Sequence, residues 1–158
     1  MTNKQITESE AKSRLSALCA QRERCSHELI EKMKQWELSD EMQAKIMQYL
    51  TEHKFVDDER YARALSMDKL RYNKWGRKKI EQALWQKHID NAIISDVLDE
   101  IDDEEYLSVL RPLLQSKRRS TKGGSEYEVN QKLIRFALSR GYEYRLIRQC
   151  VDDANEDF

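Results

Sequence analysis

Apolar side chains recur at the spacing of an α-helix along nearly the whole chain, and no other feature constrains its fold as strongly. Leu29, Met33 and Trp36 make one such stripe, and Ile46 and Leu50 belong to the next. The alternation with period two that marks half-buried strands is almost absent. One Pro and four Gly in 158 residues leave few breaks between helices. The pattern predicts an all-α fold and argues against a conventional α/β enzyme, whose turns need more of both residues.

Helix boundaries are indicated by short polar residues, which accept hydrogen bonds from the free amides of a first turn. Ser39 and Asp90 stand at two such starts, whereas Gly76 and Gly141 stand between helices, where a left-handed residue or a tight turn is easiest. Pro112 falls inside a helical stretch and is expected to kink or split it. The nine predicted helices cover residues 9–21, 26–36, 39–52, 57–72, 76–87, 90–101, 103–117, 125–139 and 143–154.

A weak internal repeat organises these helices. Sliding the chain by 51 residues sets Leu29 on Ile80 and Met33 on Leu84, and a further 53 residues set Ile80 on Leu133. Each repeat would contain three helices, and stacked repeats would bury continuous apolar faces in an elongated, curved body. A chance alignment of three unrelated helical hairpins is the alternative. The predicted domains are three tandem three-helix repeats at residues 1–52, 53–101 and 102–158, the last with a basic loop at 115–125.

Charge is segregated along the chain, although 28 bases and 29 acids leave a net charge of only −1. Residues 69–89 carry +6, residues 90–110 carry −8, residues 111–150 carry +7 and the tail from residue 151 carries −4. Basic segments bind phosphates or acidic protein surfaces, and the plainer interpretation is a solvated helix end or connection. The acidic segment between the two basic ones predicts weak binding to naked DNA.

Two basic clusters are the candidate contacts with a partner. The first, KLRYNKWGRKKIEQALWQKHI at residues 69–89, interleaves cations with aromatic rings that could stack on bases, but we interpret Tyr72 and Trp85 as core residues. The second, SKRRSTKGG at residues 116–124, is predicted to be a mobile loop. The candidate contact residues are Arg71, Lys74, Arg77, Lys78, Lys79, Lys117, Arg118, Arg119 and Lys122.

The sequence shows no catalytic constellation, no phosphate-binding glycine loop and no metal-ligand spacing. Cys19, Cys25 and Cys150 are an odd number without a CxxC pair, which is typical of reduced thiols. No apolar run approaches the roughly 20 residues of a membrane span, and the start lacks the apolar core of a signal peptide. We therefore expect a cytoplasmic protein that is not an enzyme, holds no cofactor or metal ion and binds no membrane.

The segment from about residue 53 to 90 resembles a family signature. FVDDERYA at residues 55–62 is followed by KLR at 69–71, by WGRKKI at 75–80 and by Leu84, and together these resemble the RecX family of bacterial recombination regulators. The resemblance implies that Asp57 or Asp58 caps a helix and that Gly76 forms a turn. It also implies packing between repeats for Phe55, Tyr61, Ala62, Ile80 and Leu84.

Members of that family bind the RecA recombinase, especially its filament on DNA, and hinder strand exchange, ATP hydrolysis and co-protease activity without chemistry of their own. The resemblance thus implies a regulator of DNA repair, recombination and the SOS response, with RecA and the RecA–DNA filament as partners and weak direct contact with DNA. We expect a monomer. Two alternatives stay open, a direct DNA-binding helical module and a generic helical-repeat adaptor for another protein.

Overall fold

The computed structural model describes the backbone of residues 5–156 and the side chains of residues 5–152. Within those residues the chain forms nine α-helices and no strand, which confirms the predicted fold class. The helices are α1 (Glu8–Gln21), α2 (Ser26–Gln35), α3 (Asp40–Glu52), α4 (Asp58–Arg71), α5 (Arg77–Gln86), α6 (Asn91–Asp99), α7 (Asp103–Ser120), α8 (Glu126–Ser139) and α9 (Tyr144–Glu156).

Consecutive helices pack in threes, which we call the first triplet (α1–α3), the second triplet (α4–α6) and the third triplet (α7–α9). In each triplet the first and third helices pack against each other, and the middle helix packs against the third. Short polar caps begin the helices as expected, since Ser39 accepts from the Met42 amide at 3.2 Å and Asp90 accepts from the Ala92 amide at 3.1 Å.

The turn after the middle helix is built in the same way in all three triplets. In each case a residue with positive φ follows the helix, and the next residue donates its amide to a carbonyl five positions back, which satisfies a free carbonyl of the last turn. The left-handed residues are Glu37 (φ 58°), His88 (φ 58°) and Gly141 (φ 95°), and the donors are Leu38, Ile89 and Tyr142, all of them buried. The 51- and 53-residue offsets align these turns, so the repeat extends to backbone conformation.

The hydrophobic core is divided in two. The first triplet encloses one cluster, which includes Leu15, Leu29 and Ile46. A second cluster runs without interruption through the second and third triplets and includes Leu70 and Leu133. The accessible surface of 10285 Å² exceeds the roughly 8,300 Å² expected for a compact monomer of this mass, so the stack is elongated.

Gly76 and Gly141 bring the backbones of the second and third triplets into direct contact. The Gly76 amide donates to the Arg140 carbonyl at 2.7 Å, and the Lys78 amide donates to the Gly141 carbonyl at 3.0 Å. A Cβ atom on Gly76 would lie 2.3 Å from the Gly141 carbonyl carbon, which no packing tolerates. Gly76 has a φ of −83° and caps α5, so the expectation of a left-handed or turn residue there is wrong. The close approach of the two backbones is what requires the glycine.

Helix α7 is continuous through Pro112 and ends at Ser120. The expected split at Pro112 does not occur, because Leu110 and Leu114 on either side are buried in the core and hold the helix in place. Lys117 therefore lies on a helix, as do the two residues after it, and the prediction of a basic loop over 115–125 is wrong for its first half. The connection to α8 is confined to residues 121–125.

Among the helices that the structure describes, none combines the length and the hydropathy needed to cross a bilayer.

Candidate partner-binding surface

Four cations lie over two aromatic rings at the junction of the second and third triplets. Lys69 and Lys79 stand 4.9 and 4.7 Å from the centre of the Trp75 ring. Lys117 and Arg140 stand 4.9 and 5.2 Å from the centre of the Phe136 ring. A cation over a ring face is held in place by the quadrupole of the ring without losing its charge. We call this surface the basic strip, and its members are Lys69, Trp75, Lys79, Lys117, Phe136 and Arg140.

The two rings belong to one surface because the Gly76–Gly141 contact lies between them. Arg140 donates from its guanidinium to the Asn73 carbonyl at 3.1 Å, and its own carbonyl accepts from the Gly76 amide. Trp75 directly precedes Gly76, and Phe136 lies one helical turn before Arg140. The rigid backbone contact therefore fixes the spacing of the four cations.

The charges of the strip are not neutralised by any carboxylate that the structure describes. Within residues 5–152 no carboxylate forms an ion pair with any of its four cations. Some bases elsewhere on the same triplets are paired, as Arg63 is with Glu100 at 2.8 Å and Arg71 with Glu105 at 3.0 Å. A row of unpaired cations held on aromatic rings is suited to a polyanion, because each cation displaces a counterion from a phosphate.

Several of the predicted contact residues border this strip. Lys74 is exposed in the connection between α4 and α5, and Arg118 donates to Asn130 Oδ1 at 2.9 Å. Arg119 and Lys122 are exposed and form no ion pair within residues 5–152. Lys74 lies two residues before Gly76, and the other three cations lie on α7 or in the connection to α8, whereas Arg71 is exposed but already paired with a carboxylate.

Arg77, also a predicted contact, faces into the protein. Its guanidinium donates to Glu143 at 2.8 Å, to Asp103 at 3.0 Å and to the Ile101 carbonyl at 2.6 Å, and it lies 4.1 Å from the centre of the Tyr106 ring. The hydrogen bond from Arg77 holds the pKa of Asp103 below its ordinary value. With its donors engaged inside the junction, Arg77 supports the surface rather than forming part of it.

Tyr106 completes that internal network. Its side chain is fully buried, and burial raises the pKa of the phenol well above its ordinary value, so the hydroxyl stays protonated. The hydroxyl donates to Glu143 at 2.8 Å and accepts from the Arg77 amide at 2.8 Å, which satisfies a free amide in the first turn of α5. The sequence alone gave no signal for this, because the cap comes from another triplet.

The motif residues take mostly structural positions. Asp57 is the cap of α4 and accepts from the Glu59 and Arg60 amides, whereas Asp58 accepts from the Ser26 amide of the first triplet at 2.7 Å. Phe55 is half-buried and packs on the core of the first triplet. The other apolar motif residues belong to the core of the second and third triplets, namely Tyr61, Ala62, Ile80 and Leu84.

Two aromatic residues lie outside the core, contrary to the prediction. Tyr72 is 80% exposed and Trp85 is 68% exposed. In α5 the buried positions are Ile80 and Leu84. Trp85 is the residue after Leu84 and therefore lies on a different side of the helix, so a helical projection places it outside the core. Trp85 borders a groove of about 460 Å³ between α5 and α6, which Lys78 also lines.

Among the described residues, no group of three His, Cys, Asp or Glu side chains is arranged to hold a metal ion.

Comparisons with known proteins agree with this architecture. Residues 57–98 match the family profile described as the second three-helix domain of RecX, and residues 103–151 match its third three-helix domain. The chain is 35% identical over 112 residues to a regulatory protein RecX of Clostridium botulinum, covering 70% of this chain and 52% of that one. It is 28% identical over 141 residues to the RecX of Acinetobacter baylyi, covering 89% and 86%.

Solved structures show the same fold. A crystal structure of RecX from Lactobacillus salivarius superposes with a TM-score of 0.89 at 18% identity, over 94% of this chain and 96% of that one. A second crystal structure of a regulatory protein RecX gives a TM-score of 0.82 at 21% identity. The chain spans little more than half the length of the clostridial relatives that it matches.

Proposed function

The chain belongs to the RecX family, and from that premise we propose that it binds the RecA recombinase and its filament on DNA and inhibits their activities without catalysis. The activities concerned are recombination, ATP hydrolysis and co-protease function, in the control of DNA repair and the SOS response in the cytoplasm. The family is one of regulatory proteins, and its members named in the comparisons carry that description.

The basic strip is the observation that carries this proposal. A recombinase filament on DNA presents a regular line of phosphates, and the four unpaired cations of the strip are spaced by the rigid Gly76–Gly141 contact. The elongated body allows many modest contacts along a groove rather than one deep pocket. Complementary charge of this kind sets the register and the association rate of a complex more than its affinity.

Inhibition then results from the protein occupying the surface of the filament. A helical stack lying along the filament would keep the subunits from moving against each other and would block access of a second DNA strand, with no bond made or broken. Arg77 and Tyr106 hold the surface in shape, and the cations of the strip and its borders make the contacts.

Titration of RecA with the purified protein tests the proposal. We expect DNA-dependent ATP hydrolysis and strand exchange to fall as the protein approaches the concentration of RecA. A variant carrying Lys79→Glu and Lys117→Glu should inhibit more weakly, because both side chains are on the strip and neither bonds to a carboxylate within residues 5–152. Unchanged ATP hydrolysis and strand exchange at an excess of wild-type protein would refute it.

A direct DNA-binding module is the second candidate, and the same unpaired cations favour it. If four strip cations each contact a phosphate, the affinity for single-stranded DNA should fall with salt with a logarithmic slope of about −3. Tight binding to naked DNA with that slope, in the absence of RecA, would favour the module over the regulator. Binding of some other protein, with neither RecA nor DNA bound, would point to a generic helical-repeat adaptor.

A further inference from the structure

Trp85 differs from the other two tryptophans in what lies over its ring. Arg14 lies 5.8 Å from the ring centre of Trp36, and two lysines of the basic strip lie over Trp75. Trp85 is 68% exposed, and within residues 5–152 no cation of the chain lies over it. An uncovered indole on a surface where other rings carry cations marks a position at which a partner could supply the cation.

The groove beside Trp85 has an apolar floor and a polar rim. Ile94 and Leu98 of α6 form the floor, with only 5% and 8% of their surfaces exposed. Glu81 and Lys78 on α5, one and two turns before Trp85, stand on one rim, and Asp99 stands on the other. Exposed tryptophans beside shallow apolar depressions are enriched at the centres of protein interfaces.

The rim of the groove carries more acidic than basic side chains when residues already paired with each other are left out. Arg77 and Glu143 also line the groove, but they are paired with each other at 2.8 Å. Glu81 and Asp99 form no ion pair within the described side chains, and only Lys78 opposes them. The groove therefore has the opposite preference to the basic strip, which is suited to phosphate.

We propose that this groove binds an arginine-bearing segment of the partner protein, an inference that rests on the proposed function. The guanidinium would stack on Trp85 and pair with Glu81 or Asp99, while an apolar neighbour in the segment would cover Ile94 and Leu98. Arginine fits better than lysine because its plane stacks on an indole while its edge donates to a carboxylate in two places. The second triplet would then contact protein through the groove and DNA through the strip.

Binding measurements on two targets distinguish the contribution of the groove from that of the strip. The fluorescently labelled full chain is titrated against RecA filaments on single-stranded DNA, and separately against the same DNA without RecA. We expect Trp85→Ala to weaken filament binding at least tenfold and to leave binding to naked DNA unchanged. Tyr127→Ala is the matched control, since Tyr127 is 72% exposed and lies outside the groove, and it should change neither.

A second variant removes the charges and keeps the tryptophan. Glu81→Gln with Asp99→Asn should weaken filament binding severalfold, while naked-DNA binding stays the same or rises. Both side chains are exposed and unpaired, so the variant and Trp85→Ala should melt as the wild type does.

Each result has one interpretation. Filament binding equal to the wild type in both groove variants overturns the groove and leaves the proposed function standing. Failure of the wild-type protein to bind the filament refutes the proposed function, and the groove inference falls with it. A wild-type dimer that Trp85→Ala converts to a monomer would show that the groove holds a second copy of this chain, which also overturns the inference.

Discussion

The two junctions between triplets share one kind of helix cap but differ in the chemistry of the capping side chain. At each junction the middle helix of one triplet begins against the next triplet, which supplies a hydrogen-bond acceptor for its first turn. The Ser26 amide of α2 donates to Asp58 at 2.7 Å, and the Arg77 amide of α5 donates to the Tyr106 hydroxyl at 2.8 Å. Ser26 and Arg77 are equivalent at the 51-residue offset, so the cap is part of the repeat.

The surroundings of the two caps differ. At the first junction Arg60 pairs with Glu23 at 2.7 Å with roughly 40% of each side chain exposed, and the two apolar cores remain largely separate. At the second junction the backbones touch at Gly76 and Gly141 and one core runs through both triplets. Exposed ion pairs contribute little, whereas buried contacts contribute more. The second and third triplets thus form one block, and the first is attached to it through the exposed Arg60–Glu23 pair, the buried Cys25 and the stacked rings of His27 and His88.

The cations at the two junctions also differ in whether carboxylates pair with them. Three cations of the first junction share Glu28 and a fourth pairs with Glu23, so each of these bases has a carboxylate partner within the protein. The four cations of the basic strip rest on aromatic rings with no described carboxylate paired to them. A basic residue therefore indicates a binding surface only when it is known whether a carboxylate pairs with it, and of the two junctions the second is the one whose cations have no described carboxylate partner.

Gly76→Ala should have the largest effect on stability. The new Cβ atom would lie 2.3 Å from the Gly141 carbonyl carbon and 2.4 Å from the Tyr142 amide nitrogen, both backbone atoms that cannot move alone. We expect a loss of about 3 kcal/mol or more in the free energy of unfolding, measured with urea. Gly124→Ala is the control, because its Cβ would have its nearest contact at 3.5 Å, and it should change little. Equal stability of the two variants would contradict the backbone contact.

Tyr106→Phe should have the second-largest effect on stability. The change removes the hydroxyl that accepts from the Arg77 amide and donates to Glu143, and it leaves that partly buried amide without its partner. We expect a loss of about 2 kcal/mol by urea unfolding. Tyr127→Phe removes a hydroxyl from an exposed tyrosine and should be neutral. If the two variants lost the same stability, the cap from the third triplet would contribute nothing.

Asp58→Ala tests the weaker junction. It removes the cap of α2 in a partly exposed setting, so we expect a loss of about 1 kcal/mol or less. Amide hydrogen exchange should rise in the first turn of α2 and stay unchanged in the first turn of α5. A loss as large as that of Tyr106→Phe, or faster exchange throughout the chain, would mean that the two junctions are equally tight.

The helices could be predicted from sequence because their causes are local. Apolar spacing and polar caps indicated all nine described helices, and every helix end but one lies within two residues of its predicted position. The exception is the end of α7, where buried Leu114 and the contact of Lys117 with Phe136 extend a helix that the polar sequence seemed to end.

The surface could be predicted only in part, because its formation depends on contacts far apart in the chain. Basic charge in residues 69–89 and 111–150 indicated the right region. Arg77 is no more basic in sequence than Lys79, yet one faces Glu143 across the junction and the other lies over Trp75. Arg140 joins the strip through a contact 67 residues away, at Asn73, and no local pattern signals it.

The most direct test compares equal charge changes at the two junctions. Lys79→Glu with Lys117→Glu acts on the basic strip, and Arg22→Glu with Lys87→Glu acts on the first junction, so each pair lowers the net charge by four. The concentration needed to inhibit DNA-dependent ATP hydrolysis by RecA is measured for both variants and the wild type. We expect it to rise at least tenfold for the strip variant and less than threefold for the other. An equal rise in both would show that net charge, and not the strip, directs the binding.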